Sequence, residues 1–278
     1  MRYAKAKQMR SAVAVALAAA VVLTTACAAV CEEASQGRDI LNRWQSAVVT
    51  VKVVTENRMV AQGREMSKTE GKSEVTGTII DPSGLVLVSL FTVDSSKAFE
   101  RMNAMRGGAA NYKMETQVTD VKIRLPDGKE LPAKIVLRDE DLDLAFIRLT
   151  EKPAEPMSAV DLSDKAEPQL LDPIVVLNRM GKVANWASAV ILDRVYAIVE
   201  KPRRFYVPTP NAMEGGLGSP VFTLDGKAVG IFVLRVAPSA DSGMGSPFSG
   251  VSSMGLLPII LPSEDILEVA QQAPETAE

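Results

Sequence analysis

The stretch that decides the fold is Thr76–Asp94, with the sequence TGTIIDPSGLVLVSLFTVD. Two apolar runs rich in β-branched residues flank the turn sequence Asp81-Pro82-Ser83-Gly84. In such a turn proline presets the backbone, and glycine permits the positive φ angle that other residues avoid. The pattern therefore predicts a β-hairpin whose strands are buried in a core.

Similar strand-turn-strand patterns recur along the chain. Val121–Leu125 precedes the turn residues Pro126-Asp127-Gly128, and Pro220–Leu224 precedes Asp225-Gly226. No predicted strand is followed by a long segment of helical periodicity, which argues against parallel β-α-β units. The sequence therefore predicts an all-β protein with many short antiparallel strands, arranged as two β-barrels or as a pair of sandwiches.

The segments between these strands suggest how the chain is divided. A short amphipathic helix is predicted at Gln36–Trp44, and a proline-rich joint at Lys152–Pro156 separates two groups of strands. The polar segment Glu56–Lys72 is predicted to be a loop. Two longer interruptions, Ser95–Asp120 and the Gly/Ser-rich Ala237–Gly255, are predicted to be either functional loops or surface decoration.

The N-terminus has the composition of a secretory signal. Residues 1–10 contain four basic side chains and no acidic one, and an alanine-rich apolar run follows. Small residues at Ala26-Cys27-Ala28 resemble a cleavage site, so residues 1–28 are predicted to be a signal peptide. Lipidation at Cys27 and an uncleaved membrane anchor are the alternatives. The predicted location is the bacterial periplasm or the extracellular space, with a lipoprotein as a variant of either.

Composition excludes several classes of site. The 278 residues include no histidine, which rules out a Ser-His-Asp or Cys-His triad and any histidine-ligated metal or haem. Both cysteines, Cys27 and Cys31, lie at the predicted signal junction, so no internal disulfide framework is expected. The net charge is -3 and no polybasic stretch follows residue 10, so nucleic-acid binding is not expected. No cofactor and no metal site are predicted.

Four motifs follow one another in a characteristic order. They are Thr76–Asp94, Asp139–Ala145 (DEDLDLA), Gly215–Val221 (GGLGSPV) and Leu257–Ser263. In this order they resemble the HtrA/Deg-type, trypsin-like serine proteases, in which the first three motifs carry the triad histidine, aspartate and serine. The resemblance implies the trypsin-like fold, with two six-stranded antiparallel β-barrels and a short C-terminal helix at Glu264–Gln272.

The resemblance also implies domain boundaries. The N-terminal barrel is expected at residues 36–151, and the C-terminal barrel with its terminal helix at residues 168–272. Residues 273–278 are expected to form a disordered tail. The PDZ domain that often follows in this family has no room in a chain of this length and is expected to be absent.

The family's catalytic positions are occupied by unusual residues. Phe91 stands at the histidine position, Asp143 at the aspartate position and Leu217 at the nucleophile position. Neither Phe nor Leu can act as a base or a nucleophile, so the resemblance implies a degenerate triad and an inactive homologue, a pseudoprotease. Asp143 is expected to accept hydrogen bonds from backbone N–H groups or from the Thr92 hydroxyl. Phe91 and Leu217 are expected to face each other, either plugging the cleft or lining an apolar pocket.

The loop around the former nucleophile is the second predicted site. It is a vestigial oxyanion loop, predicted to bind through Gly215, Gly216, Leu217, Gly218 and Ser219. Ser219 could serve an active hydrolase if a lysine were desolvated beside it, and Lys182 and Lys227 are the candidates. In the simpler interpretation, Ser219 forms hydrogen bonds within its own loop.

Three functions are compatible with these residues. The first is a non-catalytic exported module that binds a protein or an extended peptide of the cell envelope, or that acts as a scaffold there. An extended peptide would pair with the edge of a strand within Ala228–Arg235. The second is an active serine hydrolase with an unconventional Ser/Lys site around Ser219, and the third is a purely structural envelope protein. Membrane contact is expected only through a lipidated Cys27 or an N-terminal anchor.

Overall fold

The structure is a computed structural model that describes residues 32–94, 96, 99–100, 112–209, 216–236 and 256–277. The predicted signal peptide with Cys27 and Cys31, Gly215, residues 101–111 and the segment Ala237–Gly255 lie outside the described residues. Within the described ranges, none of the helices combines the length and the apolar character that crossing a bilayer requires.

The first half of the chain forms a closed barrel. Helix α1 (32–44) precedes it, and a single helical turn, α2 (Leu90–Val93), follows its third strand. The strands are β1 (Val48–Ala61), β2 (Arg64–Asp81), β3 (Leu85–Ser89), β4 (Tyr112–Arg124), β5 (Glu130–Asp139) and β6 (Leu144–Leu149). They close in the order β1-β2-β3-β6-β5-β4, and every neighbouring pair is antiparallel.

The second half of the chain forms another closed barrel. Its strands are β7 (Pro173–Arg179), β8 (Ser188–Val199), β9 (Phe205–Pro208), β10 (Pro220–Thr223), β11 (Ala228–Val236) and β12 (Leu256–Pro262). They close in the order β10-β11-β12-β9-β8-β7, and helix α3 (Ser263–Ala270) follows directly. The prediction of an all-β protein with two six-stranded antiparallel barrels and a short C-terminal helix is confirmed.

The near-continuous apolar runs of the sequence form the barrel cores. All residues of β3 and β6 are buried, which explains why these two strands show no alternation of apolar and polar residues. Helix α3 buries Ile266 and Val269, which are three residues apart and therefore lie on one face. Each fully buried large apolar side chain contributes roughly 1.5–3 kcal/mol to folding.

The prediction of a loop at Glu56–Lys72 is wrong. Strands β1 and β2 continue through this segment, with Ala61 paired to Arg64 across a two-residue turn. The turn residues Gln62 and Gly63 both have positive φ angles, of 51° and 75°, as a tight hairpin requires.

The predicted interruption Ser95–Asp120 is also partly strand. Its last residues, from Tyr112 onward, belong to β4 and pair with β1 as far as Ala61. The resulting extension has few buried residues, and ion pairs from Glu56 to Arg58 and Lys68 support it. Its polar composition concealed the strands, because both faces of the extension contact solvent.

Candidate functional site

Asp143 lies in the turn before β6, at the junction of the two barrels. Its Oδ1 accepts a hydrogen bond from the backbone N–H of Phe91 at 2.7 Å, and its Oδ2 accepts one from the N–H of Leu234 at 2.8 Å. The hydroxyl of Ser89 also donates to Oδ2. The hydroxyl of Thr92, which was expected to donate to Asp143, donates to the Ser89 carbonyl oxygen at 2.6 Å.

The hydrogen bonds to Asp143 connect the two barrels. Two donors, Ser89 and Phe91, belong to the end of β3 and to α2 in the first barrel, and the third, Leu234, belongs to β11 in the second barrel. Asp143 has a positive φ of 60°, a conformation that Asp and Asn tolerate better than most residues. The carboxylate therefore joins the two barrels without an imidazole partner.

Phe91 lines an open cavity between the barrels. Its side chain is half-buried, and the cavity has a volume of about 420 Å³. The other lining residues are Leu90, Asp94, Glu140, Asp141, Leu142, Asp143, Pro202, Arg203, Leu234 and Arg235. Acidic side chains thus come from the first barrel and basic side chains from the second, around an apolar floor.

Leu217 lies in a different environment from Phe91. It packs against the second barrel's buried cluster, which includes Tyr206, Val221 and Phe232. Leu217 is not part of the lining of the cavity that contains Phe91. The structure therefore does not bring these two side chains together in one pocket.

Residues 216–219 form a tight loop that fills the seam between the barrels. The N–H of Gly218 donates to the carbonyl oxygen of Phe232 at 2.7 Å, and the N–H of Phe232 donates to that of Ser219 at 2.9 Å. The hydroxyl of Thr78 in β2 donates to the Gly218 carbonyl oxygen at 2.7 Å. The Gly218 N–H is therefore used by the fold and is not presented to a ligand.

Gly218 is required at its position for steric reasons. Its φ is +90°, and a Cβ atom built there would lie 2.2 Å from the carbonyl oxygen of Thr76. Gly216 has a φ of +78° and lies beside Asn178, whose Oδ1 accepts a hydrogen bond from the Thr76 hydroxyl at 2.7 Å. The glycines of this loop let the two barrels approach closely.

The environment of Ser219 differs from what a Ser-Lys dyad needs. Ser219 has no exposed surface, whereas Lys182 and Lys227 are both exposed. Lys182 lies in the short turn between β7 and β8, and Lys227 lies in the turn between β10 and β11. Neither is the desolvated lysine that would activate Ser219.

One side of β11 is a candidate surface for an extended peptide. On its other side, β11 pairs with β12 in a register that places Leu234 opposite Pro258 and Gly230 opposite Pro262. Because proline has no N–H to donate, the pairs that contain Pro258 and Pro262 are not hydrogen-bonded. Hydrogen-bonded and non-hydrogen-bonded residue pairs alternate along an antiparallel ladder. The backbone groups of the even-numbered residues 230–236 therefore point away from β12. Pairing with β10 ends at Ile231, but Phe232 on that side bonds to Gly218 and Ser219, and the N–H of Leu234 donates to Asp143. The candidate edge within the described residues is therefore limited to the Leu234 carbonyl oxygen and the backbone groups of Val236.

Two donors to Asp143 were not predictable from the sequence pattern. Ser89 ends a buried strand like many others, and Leu234 contributes only its backbone N–H from a position 91 residues away. Arg203, which lines the cavity beside Phe91, forms an ion pair with Asp265, a residue outside the lining of that cavity. Burial raises the pKa of Asp265, while Arg203, 3.3 Å away, opposes this shift.

No group of three or more metal-ligating side chains occurs in the part of the chain that the structure describes.

Comparison with known proteins supports the same family. Residues 75–231, more than half of the chain, match the sequence profile of the trypsin-like peptidase domain. The putative protease Do-like 14 of Arabidopsis thaliana is 23% identical over 190 residues, which are 66% of this chain and 41% of that protein. A probable periplasmic serine endoprotease, DegP-like, of Rickettsia conorii is 24% identical over 175 residues, which are 59% of this chain and 28% of that protein.

A second DegP-like protein, from Bartonella henselae, is 29% identical over 126 residues, which are 45% of this chain and 25% of that protein. The chain thus spans well under half the length of each of these curated relatives. The chain is similar to Do-like and DegP-like proteases, and the profile match and the two barrels lead to the conclusion that it belongs to the trypsin-like peptidase domain family.

Proposed function

We propose that this protein is a non-catalytic, exported member of its family, a pseudoprotease that binds extended peptide segments or scaffolds other proteins of the cell envelope. The observation that carries this proposal is the environment of the three family positions. Leu217 packs into a barrel core, Phe91 lines a cavity, and Asp143 is hydrogen-bonded across the barrel seam. None of these arrangements activates a nucleophile.

The peptide-binding part of the proposal rests on β11. On the side away from β12, Phe232 is bonded to the loop of residues 218–219 and the Leu234 N–H to Asp143, so the proposed edge consists of the Leu234 carbonyl oxygen and the backbone groups of Val236. The cavity beside Phe91 adjoins Leu234 and Arg235 of this strand. Pairing a peptide to a strand edge needs only main-chain donors and acceptors, so it does not depend on a nucleophile. Apolar side chains of the peptide would contact Phe91 and Leu90.

Catalysis is tested by incubating the purified chain with unfolded casein and with a fluorophosphonate probe. We expect no turnover and no stoichiometric labelling, because Ser219 is buried and the two candidate lysines, Lys182 and Lys227, are exposed. Labelling that Ser219→Ala abolishes, and that Ser163→Ala at an exposed position leaves intact, would establish the alternative, an active serine hydrolase with a Ser/Lys site.

Peptide binding is tested by titrating the chain with a library of extended apolar peptides. We expect weak, saturable binding that is lost when alternate backbone nitrogens of the peptide are methylated, because methylation removes the donors that strand pairing uses. Val236→Pro, which removes an N–H from the proposed edge, should weaken binding in the same way. If no peptide binds saturably, the scaffold role replaces the peptide-binding role.

Export is tested by intact-mass analysis after expression in a bacterium with its own secretion machinery. We expect the mass of a chain that lacks residues 1 to about 28, since the N-terminal composition is that of a cleaved signal. A full-length mass in the membrane fraction would indicate an anchor instead. An added diacylglyceryl group on Cys27 would indicate a lipoprotein.

A further inference from the structure

Arg148 is a buried cation that does not line the cavity beside Phe91. It lies on β6, opposite Leu85 of β3 and Lys134 of β5, and only 8% of its surface is exposed. Its Nη1 donates to the hydroxyl of Ser83 at 2.8 Å, and its Nε is buried without a hydrogen-bond partner. A guanidinium has more donors than this single bond uses, and buried donors without acceptors are costly.

Asp81 balances the charge of Arg148 only indirectly. The backbone N–H of Ser83 donates to Oδ1 of Asp81 at 2.7 Å. Hydrogen bonds from Ser83 hold the pKa of Asp81 below its usual range, with a smaller contribution from the charge of Arg148. Ser83 thus stands between the two charges, and no direct ion pair joins Arg148 to Asp81 in the described structure.

Arg148 lines a cavity of about 640 Å³ between the β2–β3 turn, the end of β6 and helix α3. This cavity shares no lining residue with the one that contains Phe91. Leu85, Leu149, Leu267 and Ala270 form apolar walls, and Lys152 stands among the polar lining residues. The volume lies in the range of about 300–1,000 Å³ that is typical of small-molecule sites.

The charges that line the cavity favour a single negative charge on the ligand. Arg148 and Lys152 are basic, while Asp81 and Glu275 are acidic and would repel a multiply charged anion. A guanidinium matches the planar geometry of a carboxylate better than any other donor group. The apolar walls in turn require an apolar body, which inorganic anions lack.

We propose that this cavity binds a small organic carboxylate with an apolar body, whose carboxylate oxygens accept hydrogen bonds from Arg148. Lys152 adds a second positive charge, and the apolar body packs on Leu149 and Leu267. The inference is independent of the proposed function, because no residue of the cleft takes part. A fatty acid and the C-terminus of an apolar peptide share this chemistry.

The ligand class is tested on the unaltered full chain by calorimetric titration with sodium octanoate, octanamide and inorganic phosphate. We expect saturable one-to-one binding of octanoate and affinities at least about tenfold lower for octanamide and phosphate, because only octanoate supplies both charge and apolar contact. N-acetyl-Leu-Leu, tested beside octanoate, shows which source of the carboxylate is preferred. The proposal fails if octanoate does not saturate, or if octanamide or phosphate binds as tightly.

The binding residue is tested with Arg148→Met. We expect the variant to lose octanoate affinity by at least about tenfold while its weak affinity for octanamide is unchanged. Arg194→Met, which removes an exposed arginine from β8, is the matched control and should bind octanoate normally. Undiminished octanoate binding by Arg148→Met overturns the proposal. If Arg148→Met does not fold, Lys152→Met, at an exposed position, should still weaken binding of octanoate and not of octanamide.

Discussion

Asp143 and Leu217 are the residues expected at the aspartate and nucleophile positions of the family, and the contacts that they make differ. The carboxylate of Asp143 accepts hydrogen bonds from Ser89 and Phe91 in the first barrel and from Leu234 in the second. Leu217 is half-buried and offers only apolar surface to the core cluster against which it packs. An aspartate at the first position is thus useful without catalysis, whereas a serine at the second position would contribute nothing to packing.

The comparison separates two kinds of position in this scaffold. Groups that join the barrels, such as the carboxylate of Asp143 and the backbone of Gly218, contribute to stability. A nucleophile contributes only to reaction rate and can be replaced by any side chain that fits. Stability measurements on single variants can therefore separate the two kinds of position.

The largest effect is expected for Gly218→Ala. The added Cβ would lie 2.2 Å from the Thr76 carbonyl oxygen at a φ of +90°, so the barrels must move apart. Overpacking and backbone strain together should cost roughly 3–6 kcal/mol, measured by urea unfolding. Gly181→Ala is the control, since nothing lies within 4 Å of its Cβ position, and it should change stability by less than about 0.5 kcal/mol. Equal effects of the two variants would contradict the close approach of the barrels.

Asp143→Ala is expected to cost roughly 3–5 kcal/mol of the free energy of unfolding. The change leaves the N–H groups of Phe91 and Leu234 and the Ser89 hydroxyl without this acceptor, and each loss costs about 1–3 kcal/mol, although the costs are not fully additive. Asp141→Ala, an exposed neighbour, should have little effect. A near-neutral Asp143→Ala variant would show that the carboxylate does not join the barrels.

Leu217→Asp is expected to lower the free energy of unfolding by about 2–3 kcal/mol. The half-buried side chain packs on the core beside Phe232, and a carboxylate there loses that contact and part of its hydration. Leu217→Met keeps the apolar volume and should cost less than about 1 kcal/mol. A thermal melting temperature that Leu217→Asp leaves unchanged would mean that residue 217 faces an open groove.

Asp81→Asn is expected to have the smallest effect, less than about 1 kcal/mol near neutral pH, because Asp81 is only partly buried and no salt bridge joins it to Arg148 in the described structure. Hydrogen bonds from Ser83 lower the pKa of Asp81 in the folded state. Its contribution is therefore present above the unfolded pKa of about 3.9 and is lost as the pH falls through the folded value. Unfolding curves between pH 5 and pH 2 should fall less steeply for Asp81→Asn, and an identical slope would contradict this assignment.

Local sequence signals were sufficient for most strands and failed for two segments, Glu56–Lys72 and the start of β4 within Ser95–Asp120. The turn residues Asp81-Pro82-Ser83-Gly84 and the apolar runs beside them predicted the β2–β3 hairpin correctly. The segment Glu56–Lys72 was predicted to be a loop because its residues are polar on both faces. Its strands are specified by the two-residue turn at Gln62-Gly63 and by cross-strand partners, which no hydrophobic pattern records.

The sequence by itself determined the all-β class, showed that the 278 residues contain no histidine, and led us to expect Phe91, Asp143 and Leu217 at the three family positions. These follow from composition and from motif order, which are properties of the chain alone. Only the tertiary structure decided that Asp143 bonds to Leu234, that Leu217 packs apart from Phe91 and that Arg148 lines a cavity. Each of these depends on segments far apart in sequence, whose approach is set by barrel closure and core packing.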